Sequence, residues 1–348
     1  MSTTCDHYFG VFYGLIWRDP SWYLQFYWYC LIKKKDLRKH NTSASTFLLL
    51  EFSKTWEMQI LHFTVFLLLY LTIVTGNILI IFAVAFDRYL HTPLYFFLMN
   101  LAIQDLCSIS VIIPKSMINS LLNTRDISYF GCVAQVLLLF FFVSSDFFLL
   151  TVMAYDRYIA ICNPLHYEMV MNKQAYTQMI ATVWLAGLVY GILHTTATFL
   201  TPFCSNVVNQ FFCEIPQLLK LVCSDSYLIE IDILILSVAI GIGCCCFIIV
   251  TYIYIFMALL QIPSMQGRKK AFATCVPHII VFSMFLFSGS IAYLRPTSDI
   301  PSYLDLIFTI IYSILPPLLN PIIYSMKNKA IKKALSKLFS GKNCFHPD

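Results

Sequence analysis

Residues 153–167 read MAYDRYIAICNPLHY, which places the charged pair Asp156 and Arg157 directly after a long apolar run. A charged side chain at the centre of a bilayer costs about 2.5–3.5 kcal/mol on insertion scales. Because the cost is much smaller beside water, the pair marks the point at which a membrane-spanning helix meets water.

The composition is that of a polytopic membrane protein. The chain has 348 residues, of which 59% are hydrophobic and 12% charged, and its mean hydropathy is +0.74. Soluble domains carry about 25% charged residues. A spanning helix needs about 20 apolar residues, and seven runs meet that length. We therefore predict an all-α membrane protein, a seven-transmembrane helix bundle. The predicted spans are residues 60–86, 95–121, 132–156, 177–200, 228–260, 271–294 and 303–325.

The basic residues predict the orientation of the bundle, because short cytoplasmic loops are enriched in Lys and Arg. If Arg157 lies on the cytoplasmic side, so do most basic residues of the loops and tail, and the N-terminus is extracellular. The two sets are Arg88, Lys173, Arg268, Lys269, Lys270, Lys327, Lys329, Lys332, Lys333, Lys337 and Lys342 inside, and Arg125, Lys220 and Arg295 outside. The net charge of +5 is then a topology signal, and no nucleic-acid-binding motif accompanies it.

Four blocks of the sequence resemble the signature of olfactory receptors, a branch of the rhodopsin-like G-protein-coupled receptors. Besides MAYDRYIAICNPLHY they are LHTPLYFFLMNL at 90–101, KAFATC at 270–275 and NPIIYSMKN at 320–328. The resemblance covers roughly residues 41–340. It implies a receptor, not an enzyme, that binds a small, mainly apolar odorant within the bundle. It also implies a heterotrimeric G protein of the olfactory stimulatory type as partner, a rise in cyclic AMP, and a place in the plasma membrane of olfactory cilia.

The N-terminal 40 residues precede the family's usual beginning, which the sequon at Asn41 resembles. We expect residues 1–40 to be a poorly ordered extension and Asn41 to be glycosylated. A signal peptide is the alternative, but the basic residues 33–35 follow the aromatic run 22–32 instead of preceding it. The remaining predicted regions are an extracellular N-terminus at 41–59, the receptor bundle at 60–326, and a cytoplasmic helix and tail at 327–348.

Four of the 13 cysteines are predicted to lie on the outer side of the membrane. Cys132 lies 25 residues before Arg157, about 37 Å along a helix, which exceeds the bilayer core. The loop after the fourth helix supplies Cys204, Cys213 and Cys223. Four cysteines in an oxidising compartment allow three connectivities. The resemblance to olfactory receptors implies Cys132–Cys213 and Cys204–Cys223, with free thiols as the alternative.

Polar side chains fall at similar depths in several predicted helices. Asp146 lies 11 residues before Arg157, about 16 Å along the same helical face. Asn77, Asp105 and Asn320 fall in helices one, two and seven. The resemblance implies that this cluster, with Asp105, Asp146 and Asn320 at its centre, holds water or a sodium ion in the inactive state. Two carboxylates at one depth repel each other without a cation or proton. The alternative is a hydrogen-bonded patch that only joins helices, and no other cofactor is expected.

One face of the third helix carries residues at helical spacing that end at Arg157. They are Leu139, Val143, Asp146, Leu150, Met153 and Arg157. By motif position, the resemblance implies that the odorant contacts are Leu139, Phe140, Val143, Ser144 and Tyr293. Ordinary helix packing is the alternative for each. A mainly apolar lining with one hydroxyl suits a small, volatile, apolar molecule. The sequence departs from the family at 285–287, where Phe-Leu-Phe replaces the Phe-Tyr-Gly of many relatives, so a hydroxyl is missing there.

The cytoplasmic side carries the coupling residues that the resemblance implies. Arg157 is held by Asp156 at rest, lies beside Tyr158, and meets the G protein when the sixth helix swings outward. The Asn320-Pro321-Ile322-Ile323-Tyr324 block belongs to the same switch, since Pro321 removes a backbone donor and weakens its helix.

Beyond the seventh helix, apolar residues repeat at helical spacing with lysines between them. The two sets are Ile331, Ala334, Leu335, Leu338 and Phe339, and Lys329, Lys332, Lys333 and Lys337. This pattern predicts a short C-terminal amphipathic helix, with its apolar side in the membrane interface and its lysines toward anionic lipid.

Two other classes of membrane protein are disfavoured. A transporter would show broken helices in two related halves, and no internal repeat relates residues 60–160 to 200–320. An intramembrane enzyme or metal site needs converging groups, but the eight histidines are scattered. Cysteines 244–246 point about 100° apart on a helix and cannot bind one ion. A receptor of the same family that acts outside the nose on a non-odorant molecule stays open.

Overall fold

The structure is a computed structural model that describes residues 46–50, 55–222, 228–294, 303–327 and 329–339. Seven of the described helices are long and apolar enough to cross a membrane, which confirms the predicted bundle. We number the helices α1 (Trp56–Phe86), α2 (Pro93–Leu122), α3 (Tyr129–Cys162), α4 (Lys173–Leu200), α5 (Leu228–Gln261), α6 (Met265–Leu294), α7 (Tyr303–Lys327) and the shorter α8 (Lys329–Phe339). The predicted extension at 1–40 and the glycosylation site Asn41 lie outside the described residues.

Two of the helices are longer than their apolar runs. α3 continues past Asp156 and Arg157 to Cys162, and α6 begins at Met265, ahead of its basic residues. The apolar run measures the thickness of the membrane, whereas a helix continues into water until its backbone is interrupted. In α3 that point is Pro164, which disfavours helical geometry in the residue before it. The charged pair therefore marks the end of the apolar run of α3, and the helix itself continues beyond it.

Two short strands accompany the helices at the end of the bundle that contains Cys132, which we call the Cys132 end. Strand β1 (Thr46–Leu48) pairs antiparallel with β2 (Asp126–Ser128), and Phe47 lies opposite Ile127. Both of these side chains are buried beside Cys132. The other short segments are helical turns at Arg88–Leu90, Pro164–His166, Tyr167–Val170 and Ile215–Leu219.

Helix α3 forms the centre of the bundle and contacts α2, α4, α5 and α6. Its approach to α4 is close because two glycines of α4 face it. A Cβ atom at Gly187 would lie 2.9 Å from the Phe141 carbonyl oxygen, and one at Gly191 would lie 3.1 Å from the Phe141 nitrogen. Helix α2 is the most buried span and α5 the least. The opposite end of the bundle, which contains Arg157, is called the Arg157 end.

Candidate functional site

A cavity of about 200 Å³ lies between α2, α3, α6 and α7. Asp105 and Asp146 line it toward the middle of the bundle, and Glu214, from the loop between α4 and α5, lines it at the Cys132 end. The walls between them are mainly apolar. They include Leu139, Phe140, Val143, Leu150, Val281 and Phe285. An apolar enclosure with a few polar groups is the usual form of a small-molecule site.

Three of the five predicted odorant contacts line this cavity, namely Leu139, Phe140 and Val143. Ser144 lies outside the described lining. Its hydroxyl points toward α4 and donates to the carbonyl oxygens of Phe140 at 2.5 Å and Gly187 at 3.4 Å. A serine in a helix satisfies its hydroxyl on the preceding turn, which turns it away from a ligand. The Tyr293 side chain lies outside the described residues.

The departure from the family pattern in α6 falls partly on the cavity wall. Phe285 lines the cavity and stacks on Phe147 with ring centroids 5.6 Å apart. Leu286, which stands where many relatives have Tyr, packs against the hydrophobic core, and Phe287 is 65% exposed. The substitution at 286 therefore changes the packing of α6 and not the described lining of the cavity.

The loop between α4 and α5 forms the wall of the cavity at the Cys132 end. The predicted Cys132–Cys213 disulfide is present, with Cα atoms 5.6 Å apart. Cys204 is also disulfide-bonded, and its predicted partner Cys223 lies outside the described residues. The disulfide fixes the chain beside Glu214, so it also fixes one polar end of the cavity.

Side chains of α2 and α3 bind the same loop from inside the bundle. Gln135 donates from Nε2 to the Val111 carbonyl at 2.9 Å, and its Oε1 accepts from the Cys213 N–H at 2.8 Å. Ser116 donates to the Phe211 carbonyl at 2.9 Å. The sequence motifs did not indicate these residues, although a glutamine within a spanning helix needs a partner as an acid does.

The predicted polar cluster divides into two parts. Asn320 donates from Nδ2 to Asp105 Oδ2 at 2.9 Å, and both line the cavity with Asp146. Asp146 is 6% exposed, and its Oδ1 has no hydrogen-bond partner in the described part of the chain. Asn77 donates to the Pro317 carbonyl at 3.1 Å. It therefore joins α1 to α7 and lies outside the described lining.

A histidine joins α6 to the floor of the cavity. His278 Nε2 lies 2.9 Å from the carbonyl oxygen of Leu150, whose side chain lines the cavity. Because a carbonyl only accepts, Nε2 carries the proton and Nδ1 accepts from the Tyr252 hydroxyl at 2.7 Å. This bridge connects α3, α5 and α6. The sequence indicated His278 only as a scattered histidine, although its place within an apolar run called for a partner.

The Asp156–Arg157 pair is buried and hydrogen-bonded. Arg157 donates from Nε to Asp156 Oδ2 at 2.9 Å and makes a second contact with the same oxygen. The Tyr167 hydroxyl donates to Asp156 Oδ1 at 2.8 Å. Burial raises the pKa of the Tyr167 phenol, and the charge of Asp156 and its hydrogen bond raise it further, so the phenol keeps the proton that it donates.

The other predicted coupling residues make contacts of their own. The Tyr158 ring lies 6.2 Å from that of Tyr254 and packs in a cluster with residues of α5 and α6. Tyr324 is buried, and no described residue bonds its hydroxyl. A Cβ atom at Gly76 would lie 3.2 Å from Pro321, so α1 packs closely on the proline of α7.

Known proteins are similar to this chain over most of its length. The family model for olfactory receptors matches residues 66–342. The chain belongs to the olfactory receptor family. The receptor is 51% identical over 300 residues to human olfactory receptor 14C36, covering 86% of this chain and 96% of that protein. It is 47% identical over 302 residues to human olfactory receptor 14A16, covering 86% and 97%. Members of this family are signalling receptors, so the receptor is a multi-pass membrane protein and not an enzyme.

The fold of the receptor is that of a known seven-helix protein. It is similar to the crystal structure of squid rhodopsin with a TM-score of 0.65 and 18% identity, covering 89% of this chain and 94% of that one. At this identity the similarity concerns the arrangement of the helices alone.

Helix α8 of the receptor lies against α1 at the Arg157 end. Ala334 packs beside Ala83 and Val84, and Lys337 Nζ lies 2.9 Å from Asp87 Oδ2. Burial acts to raise the pKa of Asp87, but the bonds from Lys337 and the Tyr89 N–H and the nearby lysine charges outweigh it and lower that pKa. Lys337 thus binds a loop carboxylate, which the expectation that the lysines face lipid did not include.

Proposed function

We propose that the receptor binds a small, mainly apolar volatile molecule in the cavity and activates a heterotrimeric G protein of the olfactory stimulatory type, which raises cyclic AMP. One observation carries the proposal. Leu150 lines the cavity, and its carbonyl accepts the His278 bond from α6. A ligand that changes the packing at Leu150 therefore acts on the contact between α3 and α6.

Arg157 lies seven residues beyond Leu150 on α3, about 10 Å along the helix. Outward movement of α6 would expose this buried residue to a G protein. A ligand needs to favour the open arrangement by only a few kcal/mol to shift the population. The buried and hydrogen-bonded Asp156–Arg157 pair supports assigning this arrangement to the closed state.

We propose that the Arg157 end faces the cytoplasm and that the N-terminus is extracellular, in the plasma membrane of sensory cilia. The distribution of lysines and arginines supports this orientation. The sequon at Asn41 and the disulfide at the Cys132 end support an extracellular end.

We also propose that Asp105, Asp146 and Asn320 hold water or a sodium ion in the closed state. The residues fit such an ion, since oxygens of Asp146 and Asn320 are buried without a donor among the described residues and carboxylates suit a hard cation. Asp146→Asn would remove one charge at little change in volume. We expect altered basal signalling and lower sodium sensitivity, and no change in either would contradict the cluster.

The proposed function is tested by a cyclic-AMP reporter in cells that supply the olfactory stimulatory G protein. We expect at least one member of a broad odorant panel to raise cyclic AMP in a concentration-dependent way. Arg157→Ala, matched for surface delivery, should abolish the response. A native receptor that reaches the surface and responds to no odorant would contradict the proposal.

A further inference from the structure

Helix α6 lines the cavity with residues at helical spacing. They are Val281, Phe285, Ser288 and Gly289. Residues spaced by three, four, seven or eight positions lie on one face of a helix, so these four share the face that meets the cavity. Phe287, on the opposite side of the same turn, is 65% exposed. A side chain at position 289 would therefore point toward the cavity.

The space beside Gly289 is open. A Cβ atom at this position would meet no described heavy atom within 4 Å. Glycines that permit close packing of helices differ in this respect. A Cβ atom at Gly191 would lie 3.0 Å from the Leu137 carbonyl oxygen, and one at Gly76 would lie 3.2 Å from Pro321. No described neighbour requires a glycine at 289, and helix stability does not favour one either, since glycine is among the least favourable residues within a helix.

Gly289 lies at the level of Val143, on the apolar wall of the cavity. Helices α3 and α6 run antiparallel, and Phe285 stacks on Phe147 with ring centroids 5.6 Å apart. Four residues nearer the Cys132 end, which is about 6 Å along each helix, α6 reaches Gly289 and α3 reaches Val143. Both of these residues line the cavity. The space that the absent side chain leaves is therefore available to the apolar part of a ligand.

We infer that Gly289 is a specificity-determining residue that sets the upper size limit of the odorant. The hydrocarbon part of the ligand occupies the space between Gly289 and Val143, where a side chain of α6 would otherwise stand. Apolar walls favour each further methylene until the space is full, and a larger group then meets the wall. The receptor thus accepts longer odorants than the same cavity would accept with a side chain at 289. This inference rests on the proposed function of the cavity.

The test is a homologous odorant series in the cyclic-AMP reporter. Straight-chain alcohols, aldehydes and methyl ketones, from butyl to decyl, are compared on the native receptor, Gly289→Ala and Gly289→Val at matched surface delivery. We expect Gly289→Ala to lower the potency of the longest odorant that activates the native receptor about fourfold, which is the value of one methylene. Gly289→Val should lower it more than about tenfold. The shortest active odorant should keep or gain potency in both variants.

Gly243 supplies the matched control. It lies in α5, it is exposed, and a Cβ atom there would also meet no described heavy atom within 4 Å. It is outside the described lining of the cavity. Gly243→Ala and Gly243→Val therefore add the same groups to a spanning helix without narrowing the cavity, and every odorant should keep its potency. Both alanine variants should melt at or above the temperature of the native receptor, because alanine favours a helix more than glycine does.

A selective loss of the longer odorants is the result that supports a size limit. An equal loss at every chain length would indicate a structural defect and overturn the inference. Unchanged potency throughout, or the same length dependence in the Gly243 variants, would overturn it as well. A native receptor that responds to odorants of the broad panel but to none of the straight-chain series would do the same.

Surface delivery and the native response complete the test. If Gly289→Val does not reach the surface, Gly289→Ala decides. Failure of Gly289→Ala to reach the surface when Gly243→Ala does would contradict the open space beside Gly289 and overturn the inference. All of these results leave the receptor function standing. A surface-delivered native receptor that responds to no compound of the broad panel would contradict the proposed function itself.

Discussion

The two ends of the bundle are held by different kinds of bond. At the Cys132 end, a disulfide, backbone hydrogen bonds between Leu48 of β1 and the loop, and the Gln135 bridge fix the loop that lines the cavity. At the Arg157 end, side-chain hydrogen bonds join α3 to α6 through His278 and to the following turn at Tyr167 through Asp156. Each hydrogen bond contributes only about 0.5–1.5 kcal/mol net, which ligand binding can offset. In the proposed function, the fixed end defines the site and the adjustable end transmits its state.

The largest expected effect comes from breaking the covalent bond at the Cys132 end. Cys213→Ser opens a disulfide that joins residues 81 positions apart, and loss of a disulfide typically costs 2–5 kcal/mol. We expect surface delivery to fall about tenfold, measured by antibody labelling of intact cells. Cys246→Ser, at an exposed free cysteine, is the control. Normal delivery and stability of Cys213→Ser would contradict a fixed Cys132 end.

A smaller loss of stability is expected from Gln135→Leu. The Cys213 N–H loses its acceptor in a buried setting, which costs about 1–3 kcal/mol. The thermal unfolding temperature of the purified receptor should fall, while Gln178→Leu, at an exposed position on α4, should leave it unchanged. Equal melting temperatures for the two variants would mean that Gln135 does not hold the loop.

At the Arg157 end, the expected effect is on signalling more than on stability. His278→Phe keeps the ring volume but removes the bonds to Leu150 and Tyr252. A loss of about 1 kcal/mol from the closed state corresponds to about a fivefold rise in basal cyclic AMP. His194→Phe is the matched control, since His194 bonds Ser237 at 2.8 Å between α4 and α5. Equal basal activity in both variants would mean that the His278 bonds do not specifically stabilise the closed state.

Tyr167→Phe should also raise basal cyclic AMP, but less than His278→Phe does. It removes one hydrogen bond to Asp156 but leaves the contacts with Arg157, so basal cyclic AMP should rise about two- to threefold. Tyr155→Phe, on the same side of the membrane, is the control. Basal activity at the native level, with equal surface delivery, would indicate that the Tyr167 bond does not stabilise the closed state.

The smallest expected effect is the pH dependence of the Asp87–Lys337 pair. The pKa of Asp87 is lowered in the folded receptor, so its contribution is present above the ordinary carboxyl pKa and lost as pH falls through the lowered value. The Lys337 side chain is 36% exposed, which limits the contribution to below about 1 kcal/mol. The melting temperature of the native receptor should exceed that of Asp87→Asn at pH 7 and approach it below about pH 4. A melting-temperature difference that does not change with pH would contradict a stabilising Asp87–Lys337 pair.

The sequence predicted the seven spans because each needs a long apolar run, and it located the charged pair, the intramembrane acids and the amphipathic helix. It did not show that α3 and α6 continue beyond their apolar runs, since an apolar run measures the membrane and not the helix. It gave no sign that the apolar residues Phe211 and Phe212 of a loop are buried among α1, α2 and α7, because apolar composition alone does not distinguish a loop from a span.

The candidate site was predicted in part, because helical spacing is visible in the sequence but packing between helices is not. Helical spacing placed Leu139 and Val143 on one face with Asp146, and these residues do line one cavity. Spacing could not show whether the Ser144 hydroxyl faces the cavity. That hydroxyl is bonded to the preceding turn of α3. The Leu150–His278 contact depends on how α3 and α6 pack, which no local pattern records.

The central claim is that ligand binding leaves the Cys132 end fixed and loosens the Arg157 end. Hydrogen–deuterium exchange of the purified receptor, with and without the most potent odorant of the panel, measures this most directly. We predict unchanged or slower exchange at residues 204–222 and faster exchange at 150–167 and 265–282. Faster exchange in the loop, or no change at the Arg157 end, would contradict the claim.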